Sequence, residues 1–345
     1  MEHLPDEIGS LANLRELWAY GNRLTALPDT LGKCASLTKL EANHNSLTDL
    51  PEAMAALTKL KSLYVQSNKL VGLSRLHERV LRHLPLLNLG LGCNRLDLSE
   101  AIEMPSVRLG LAWNAGTPPI PLQGVLTDRF ATVDHSFEPA CNGHRGDVLL
   151  VAFAAQGAGM QQWAAPCSAT RAAGVALDAL YLADPSNSYY LQDPSCEYDG
   201  VRYYEQLIIA HTQHYKHVLM VGSSMGGTAA LIHAHLAHRV LSFGPKTDLW
   251  HCHGAYLPDG AKRACTDAIR SSLERAGATA TTTVALHVGG SNLEDVQQAS
   301  RLRGMAGVII VEHDTFHHNV PMHLEREGLL VPIFKREAAA LLRRL

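Results

Sequence analysis

His217-Val218-Leu219-Met220-Val221-Gly222-Ser223-Ser224-Met225-Gly226-Gly227-Thr228 is the stretch on which the reading of this chain turns. A β-favouring run enters Gly-x-Ser-x-Gly, and an alanine-rich, helix-favouring run from Gly227 to His238 follows. This layout predicts a sharp strand-to-helix turn that holds Ser224 with its hydroxyl exposed. Gly222 and Gly226 are the positions where strand and helix press together and a side chain would collide. The first amides of the helix would then stand behind Ser224, where negative charge develops during acyl transfer. The alternative is a glycine-rich turn of another doubly wound fold, with Ser224 serving as a helix cap.

Further strands are expected at Asp147–Ala154, Ala179–Ala183, Arg239–Phe243, Thr283–Val288 and Gly307–Val311, with an edge strand within Leu126–Phe137. Helix-favouring runs lie between most of them, so the sheet is expected to be mostly parallel and covered on both faces. Such sheets place their chemistry beyond the carboxyl ends of the strands. Asp295 follows the strand 283–288, and His317 and His318 follow the strand ending near Val311. Ser224, Asp295 and then histidine is the chain order of a Ser-Asp-His triad on this architecture. Asp248 and Glu294 are the other candidate acids. Oxyanion amides are expected from Met225 and from Gly157 or Ala158, in the glycine-containing loop after the strand 147–154. Residues 250–280 leave room only for a small helical cover. The polar, aromatic stretch Tyr181–Leu191 either lines a pocket or is an ordinary surface loop.

On these residues, positions 125–345 resemble the α/β-hydrolase family. More narrowly, they are similar to compact hydrolase-like domains fused to repeat arrays or sugar-modifying enzymes. The shared phrases are Phe243-Gly244-Pro245 after the post-elbow strand and His318-Asn319-Val320 near the end. The resemblance implies Ser224 as nucleophile, Asp295 as acid and His318 as base, with His317 the second choice.

The first third is a repeat array. Leu4-Pro5-Asp6-Glu7-Ile8-Gly9 recurs as Leu27-Pro28-Asp29-Thr30-Leu31-Gly32 and again from Leu50, and Asn22, Asn45 and Asn68 stand 23 residues apart. Leu-x-x-Leu-x-Leu-x-x-Asn-x-Leu is the leucine-rich-repeat pattern, and two degenerate units around Asn94 and Asn114 extend it. Residues 1–118 resemble the leucine-rich repeats of plant and animal Ras-group proteins. The resemblance implies a horseshoe whose concave strands present Glu16, Trp18, Tyr20, Lys39, Glu41, Ser62 and Tyr64. Trp18, Tyr20, Tyr64 and Glu41 are the candidate protein-binding residues, since aromatic side chains anchor interfaces. The alternative is a solenoid that merely decorates the catalytic domain. A proline-rich linker at 119–124 divides the array from the rest, and the chain opens almost inside a repeat, as a piece of a longer protein would.

Composition narrows the classes. At 46% hydrophobic and 18% charged, the 345 residues are globular. A net charge of −3 without a basic block argues against nucleic acid. No apolar run is long enough to span a bilayer, and Met1–Pro5 lacks the basic region and apolar core of a signal peptide. Seven scattered cysteines without a Cys-x-x-Cys pair predict reduced thiols and a cytoplasmic setting. The histidine groups 211/214/217, 233/235/238 and 251/253 do not have the pattern of a convergent site, so neither metal nor cofactor is expected. The expected fold is α/β: a short leucine-rich-repeat solenoid, then a doubly wound, mostly parallel sheet of α/β-hydrolase type. The expected activity is hydrolysis of a small ester or acylated substrate, with the repeats recruiting a protein partner. The competing reading is a non-catalytic interaction scaffold.

Overall fold

In the first third of the chain, each repeat contributes a short strand whose central leucine faces inward. In the computed structural model these are β1 (Glu16–Trp18), β2 (Lys39–Glu41) and β3 (Ser62–Tyr64). A helix, α1 (Leu73–Arg79), and two further strands, β4 (Asn88–Gly90) and β5 (Arg108–Gly110), complete the array. The five strands form one parallel sheet in chain order. Residues 1–97, 107–111, 114, 135–140, 146–155, 162–252, 257–279 and 281–343 are described. The expected linker at 119–124 lies outside them, as do Gly157 and Ala158. The chain divides into two compact units, Met1–Asp134 with Pro194–Cys196, and His135–Asp193 with Glu197–Leu345.

Two sequence signatures of the array have direct physical causes. Pro5, Pro28 and Pro51 precede short 3₁₀ turns with φ of −70°, −73° and −66°, the angle that proline pre-sets. The glycine that closes the phrase is demanded by stacking. A Cβ on Gly32 would lie 2.2 Å from the Ala53 carbonyl oxygen, and one on Gly9 would lie 2.5 Å from that of Thr30. The asparagines form the ladder that the repeat requires. Asn68 Oδ1 accepts from Leu47 N at 2.9 Å, while its Nδ2 donates to Ala42 O and Val65 O at 3.0 Å. Asn45, Asn94 and Asn114 repeat the arrangement one unit apart. Each one satisfies backbone groups that the turn leaves without a strand partner. Behind them lies a continuous leucine core from Leu24 to Leu111.

The second unit opens with β6 (His135–Glu138), then β7 (Val148–Phe153), α2 (Ala164–Ala172), β8 (Leu177–Leu182) and α3 (Gly200–Thr212). It continues through β9 (His217–Ser223), α4 (Met225–Ile232), β10 (Arg239–Phe243) and α5 (Asp259–Ala278). It ends with β11 (Thr283–Gly289), α6 (Leu293–Ser300), β12 (Val308–His313), α7 (Val320–Arg326) and α8 (Leu330–Leu342). The sheet order is β12-β11-β10-β9-β7-β8-β6, all parallel except β6, which runs antiparallel on β8. This is a mixed α/β architecture with a mostly parallel sheet covered by helices. From β7 the chain moves outward to β8 on one side and then returns to β9 on the other. The elbow therefore sits where the winding reverses, the position at which open α/β sheets bind ligands. β7, β8 and β9 are buried along their whole length, as strands covered on both faces must be.

Three details depart from the sequence reading. The helix after the elbow stops at Ile232 and a 3₁₀ turn (Ala234–Leu236) replaces its expected end, with Ala237 and His238 leading into β10. Residues 259–278 are no cover. α5 packs along α4, and Ser272 Oγ accepts from His235 N at 3.1 Å, which makes it a helix of the covering layer. Cys93 and Cys196 form a disulfide within the first unit, where reduced thiols were expected, while Cys34, Cys167 and Cys265 are buried thiols. No described helix is long and apolar enough to cross a membrane.

The ladder is testable by deletion. Asn68→Ala strands the Leu47 amide inside the array, while the Ala42 and Val65 carbonyls keep Asn45 and Asn94, and is expected to cost about 1–3 kcal/mol in urea unfolding. Asn22→Ala, at the partly exposed first unit, is expected to cost under about 1 kcal/mol.

Candidate active site

β9 ends and α4 begins with almost no separation between their backbones. A Cβ on Gly222 would stand 2.0 Å from Gly226 O, and one on Gly226 would stand 2.5 Å from Phe153 O. Only glycine fits at either position. The turn forces Ser224 to φ 52° and ψ −116°, a region that costs a non-glycine residue of order 1–3 kcal/mol. Ser224 N donates to Phe243 O at 2.7 Å, which ties the strained residue to the end of β10. Met225, the first residue of α4, is buried, and its amide lies among the helix's leading N–H groups, which have no intrahelical acceptor.

Ser224, His318 and Asp295 meet at the carboxyl ends of three strands. His318 Nε2 lies 2.9 Å from Ser224 Oγ, across 94 residues of sequence. His318 Nδ1 lies 2.8 and 2.9 Å from the two carboxylate oxygens of Asp295. A carboxylate only accepts, so Nδ1 carries the proton and Nε2 presents its lone pair to the Ser224 hydroxyl. His317, the alternative base, is turned elsewhere. Its amide donates to Thr315 Oγ1 and its exposed ring packs on Phe316.

The histidine is held by shape. Gly244 has φ +53°, and a Cβ there would reach 3.0 Å from the His318 ring, so the glycine of Phe243-Gly244-Pro245 forms the bed on which the imidazole rests. Asn319 caps α7 by accepting from Met322 N at 3.2 Å, and Val320 is fully buried. The phrase His318-Asn319-Val320 is thus an imidazole hydrogen-bonded to Asp295 followed by a helix start.

Asp295 sits in the first turn of α6 with no exposed surface. Asn292 caps that helix by accepting from Asp295 N at 3.1 Å, and its Nδ2 donates to Phe316 O at 3.2 Å, which joins the acid's helix to the base's loop. Burial pushes the Asp295 carboxyl up, but the hydrogen bond and charge of His318 and the ammonium of Lys246 together hold it below the usual carboxylate value. The group is therefore ionised over the whole neutral range. Of the rival acids, Asp248 accepts from Trp250 N and pairs with Arg301 at 2.6 Å, while Glu294 takes the Lys246 ammonium at 2.6 Å. Neither has His318 as a hydrogen-bond partner among the described residues.

Lys246 was not foreseen from sequence. It is 2% exposed, and its Nζ donates to Asp295 Oδ1 at 3.1 Å as well as to Glu294. It follows Phe243-Gly244-Pro245 and precedes Thr247 and Asp248, a polar context that gives no sign of burial. The stretch after β8, weighed as a pocket lining, folds on itself instead. Asp184 is buried and accepts from the amides of Ser186, Ser188 and Tyr190 and from both serine hydroxyls. Tyr190 Oη donates to Ala154 O at 3.0 Å, bracing the end of β7.

On the repeat array, register places Trp18, Glu41 and Tyr64 side by side, with Glu16, Lys39 and Ser62 in the next row. Trp18 is 49% exposed, and Lys39 Nζ stands 4.5 Å from its ring centroid, 6.0 Å from that of Tyr64 and 2.6 Å from Glu41 Oε1. Tyr20 packs against Trp18 at 6.1 Å.

A family model described as leucine rich repeat matches residues 12–70. Comparison with curated protein sequences gave no match. Among solved structures, the chain is similar to Est1E from Butyrivibrio proteoclasticus at 11% identity and a TM-score of 0.41, over 60% of this chain and 94% of that one. It is similar to an S-formylglutathione hydrolase from Agrobacterium tumefaciens at 14% identity and a TM-score of 0.38, over 59% of this chain and 85% of that one. An LRR protein of Leptospira interrogans shares 31% identity over 34% of this chain and 36% of its own, with a TM-score of 0.27. The chain thus combines a leucine-rich-repeat segment with a second unit built on a mostly parallel sheet.

The strain at the elbow makes a measurable prediction. Ser224→Gly is expected to be more stable than Ser224→Ala by about 1 kcal/mol, because glycine relaxes at φ 52° and alanine does not. Thermal melts of the two variants compare them directly; equal midpoints would refute the strain.

Proposed function

We propose that the second unit is a serine ester hydrolase acting on small esters or acylated substrates, and that the repeats recruit a protein partner. The observation that carries the hydrolase reading is the unbroken Ser224–His318–Asp295 relay, with heavy-atom distances of 2.9 and 2.8 Å. Ser224 Oγ attacks the ester carbonyl while His318 Nε2 takes its proton. The tetrahedral oxyanion faces the Met225 amide, with the second donor expected from Gly157 or Ala158. His318 then returns the proton to the departing alcohol, and a water activated by the same nitrogen releases the acyl group. Asp295 keeps the imidazole in its Nδ1–H tautomer and stabilises the imidazolium.

A fluorophosphonate probe tests this reading. The wild type is expected to label covalently and Ser224→Ala to remain unlabelled. His318→Gln is expected to lower kcat/KM on a nitrophenyl ester by about 10³-fold or more. A folded wild-type protein that takes no label would favour the competing reading, a hydrolase-fold scaffold.

The recruitment reading is supported by exposed Trp18 with half-buried Tyr20, Tyr64 and Glu41 grouped around it on neighbouring strands and turns. Aromatic side chains of this kind dominate interface energies. Trp18→Ala with Tyr64→Ala is expected to remove captured proteins from affinity pull-downs while probe labelling persists. Unchanged capture would overturn the assignment of this face.

A further inference from the structure

We infer that Lys246 is a positioning residue whose ammonium, shared between Asp295 and Glu294, sets the basicity of His318. This rests on the reading of Ser224, His318 and Asp295 as the reacting unit, and it adds a fourth group that no triad requires.

Lysine is almost never fully buried unless it is paired, and taking its charge out of water is costly. Here the ammonium is buried to 2% and spends two of its three protons on Asp295 and Glu294. Its backbone is built in just as firmly. Lys246 N donates to Thr228 Oγ1 at 2.9 Å, one turn beyond the nucleophile in α4. Gln298 of α6 accepts from Thr247 N and Asp248 N at 2.8 Å and donates to Asp248 O at 3.1 Å. The loop is clamped to the nucleophile's helix on one side and to the acid's helix on the other, with the lysine between them. A cation with only a packing role would not need to contact the carboxylate that orients the base.

The charge arithmetic gives a signed consequence. Asp295 favours the imidazolium form of His318, and a cation on the far side of that carboxylate opposes it. Glu294, half-exposed, partly cancels the cation. Lys246 therefore keeps more of His318 neutral, in the form that can accept the serine proton. The other ionisable groups on the surrounding elements are His287 on β11, Glu312 and His313 on β12, Asp314 and His317 in the base's own loop, His323, Glu325 and Arg326 on α7, Lys335, Arg336 and Glu337 on α8, and the Asp248–Arg301 pair flanking α6. Burial holds His287 down at about 3 and also lowers His313, so the inner two stay neutral at working pH. All of these groups are common to the variants below and cancel in the comparison.

The test is an NMR titration of the His318 ring in the full chain, with the signal assigned by its loss in His318→Asn. Lys246→Met is expected to raise the His318 pKa by about one unit. Glu294→Gln is expected to lower it by a smaller amount, and the acid limb of kcat/KM should move with each. A lysine that only supported the fold would lower rates at every pH and leave both values in place. Unmoved values, or shifts of the same sign, overturn the inference. If Lys246→Met does not fold, Glu294→Gln decides alone, since its carboxylate is half in solvent. The titration does not need turnover. A shifted His318 in a protein that the fluorophosphonate leaves unlabelled would sink the hydrolase reading and keep this one, and a labelled protein without shifts would do the reverse.

Discussion

The contact between Gly222 and Gly226 is the constraint from which the second unit's chemistry follows. With 2.0 Å between a hypothetical Cβ and the facing carbonyl oxygen, β9 and α4 approach as closely as two backbones can. That approach drives Ser224 out of ordinary backbone space and points the leading amides of α4 at the same spot. Everything else delivered to the site comes from the ends of neighbouring strands. β10 supplies the Phe243 carbonyl and the Gly244 bed, β11 leads into the acid's helix, and β12 leads into the base's loop. Because the parallel register aligns these ends, three residues far apart in sequence converge without a dedicated framework.

The second layer of the site is electrostatic. A fully buried carboxylate with only a histidine partner would be poorly compensated. Asp295 instead has the His318 N–H on one side and the Lys246 ammonium on the other, and Glu294 balances the charge at the rim. The cluster is closed by Gln298 and Asn292, which tie the lysine's loop and the base's loop to the same helix, α6. One short helix thus organises acid, base and cation together.

How much of this could be read from the chain depends on the range of the physics involved. Local requirements were readable: the elbow glycines, the prolines opening each repeat turn, and the 23-residue asparagine spacing each reflect contacts within a turn or between identical repeats. Strand order put Asp295 and the pair His317 and His318 on one sheet edge, and the preference for His318 came from the resemblance of His318-Asn319-Val320 and not from strand order. Lys246 was not readable, since its partner is 49 residues away and nothing in a lysine's sequence context records burial. The role of residues 259–278 was misread for a related reason. Their helical pattern is plain, but which layer a helix joins is fixed by the surface it meets, here α4. The Asp184 loop shows the same limit, for a polar stretch that looks solvent-facing is buried around one carboxylate.

The backbone of Ser224 also bears on whether the unit is a catalyst or a scaffold. A strained φ is tolerated only where the surroundings impose it, and glycine would meet the same turn at lower cost. A domain kept for its shape alone would gain stability from glycine at this position. Here the residue is a serine, its hydroxyl is aimed at an imidazole, and that imidazole is in turn aimed by a buried carboxylate. The strain is local, while the groups that exploit it are drawn from α6 and the loop after β12, which have no part in making the turn. Their convergence on a strained serine has no packing explanation, and this favours a reacting hydroxyl over an inherited shape.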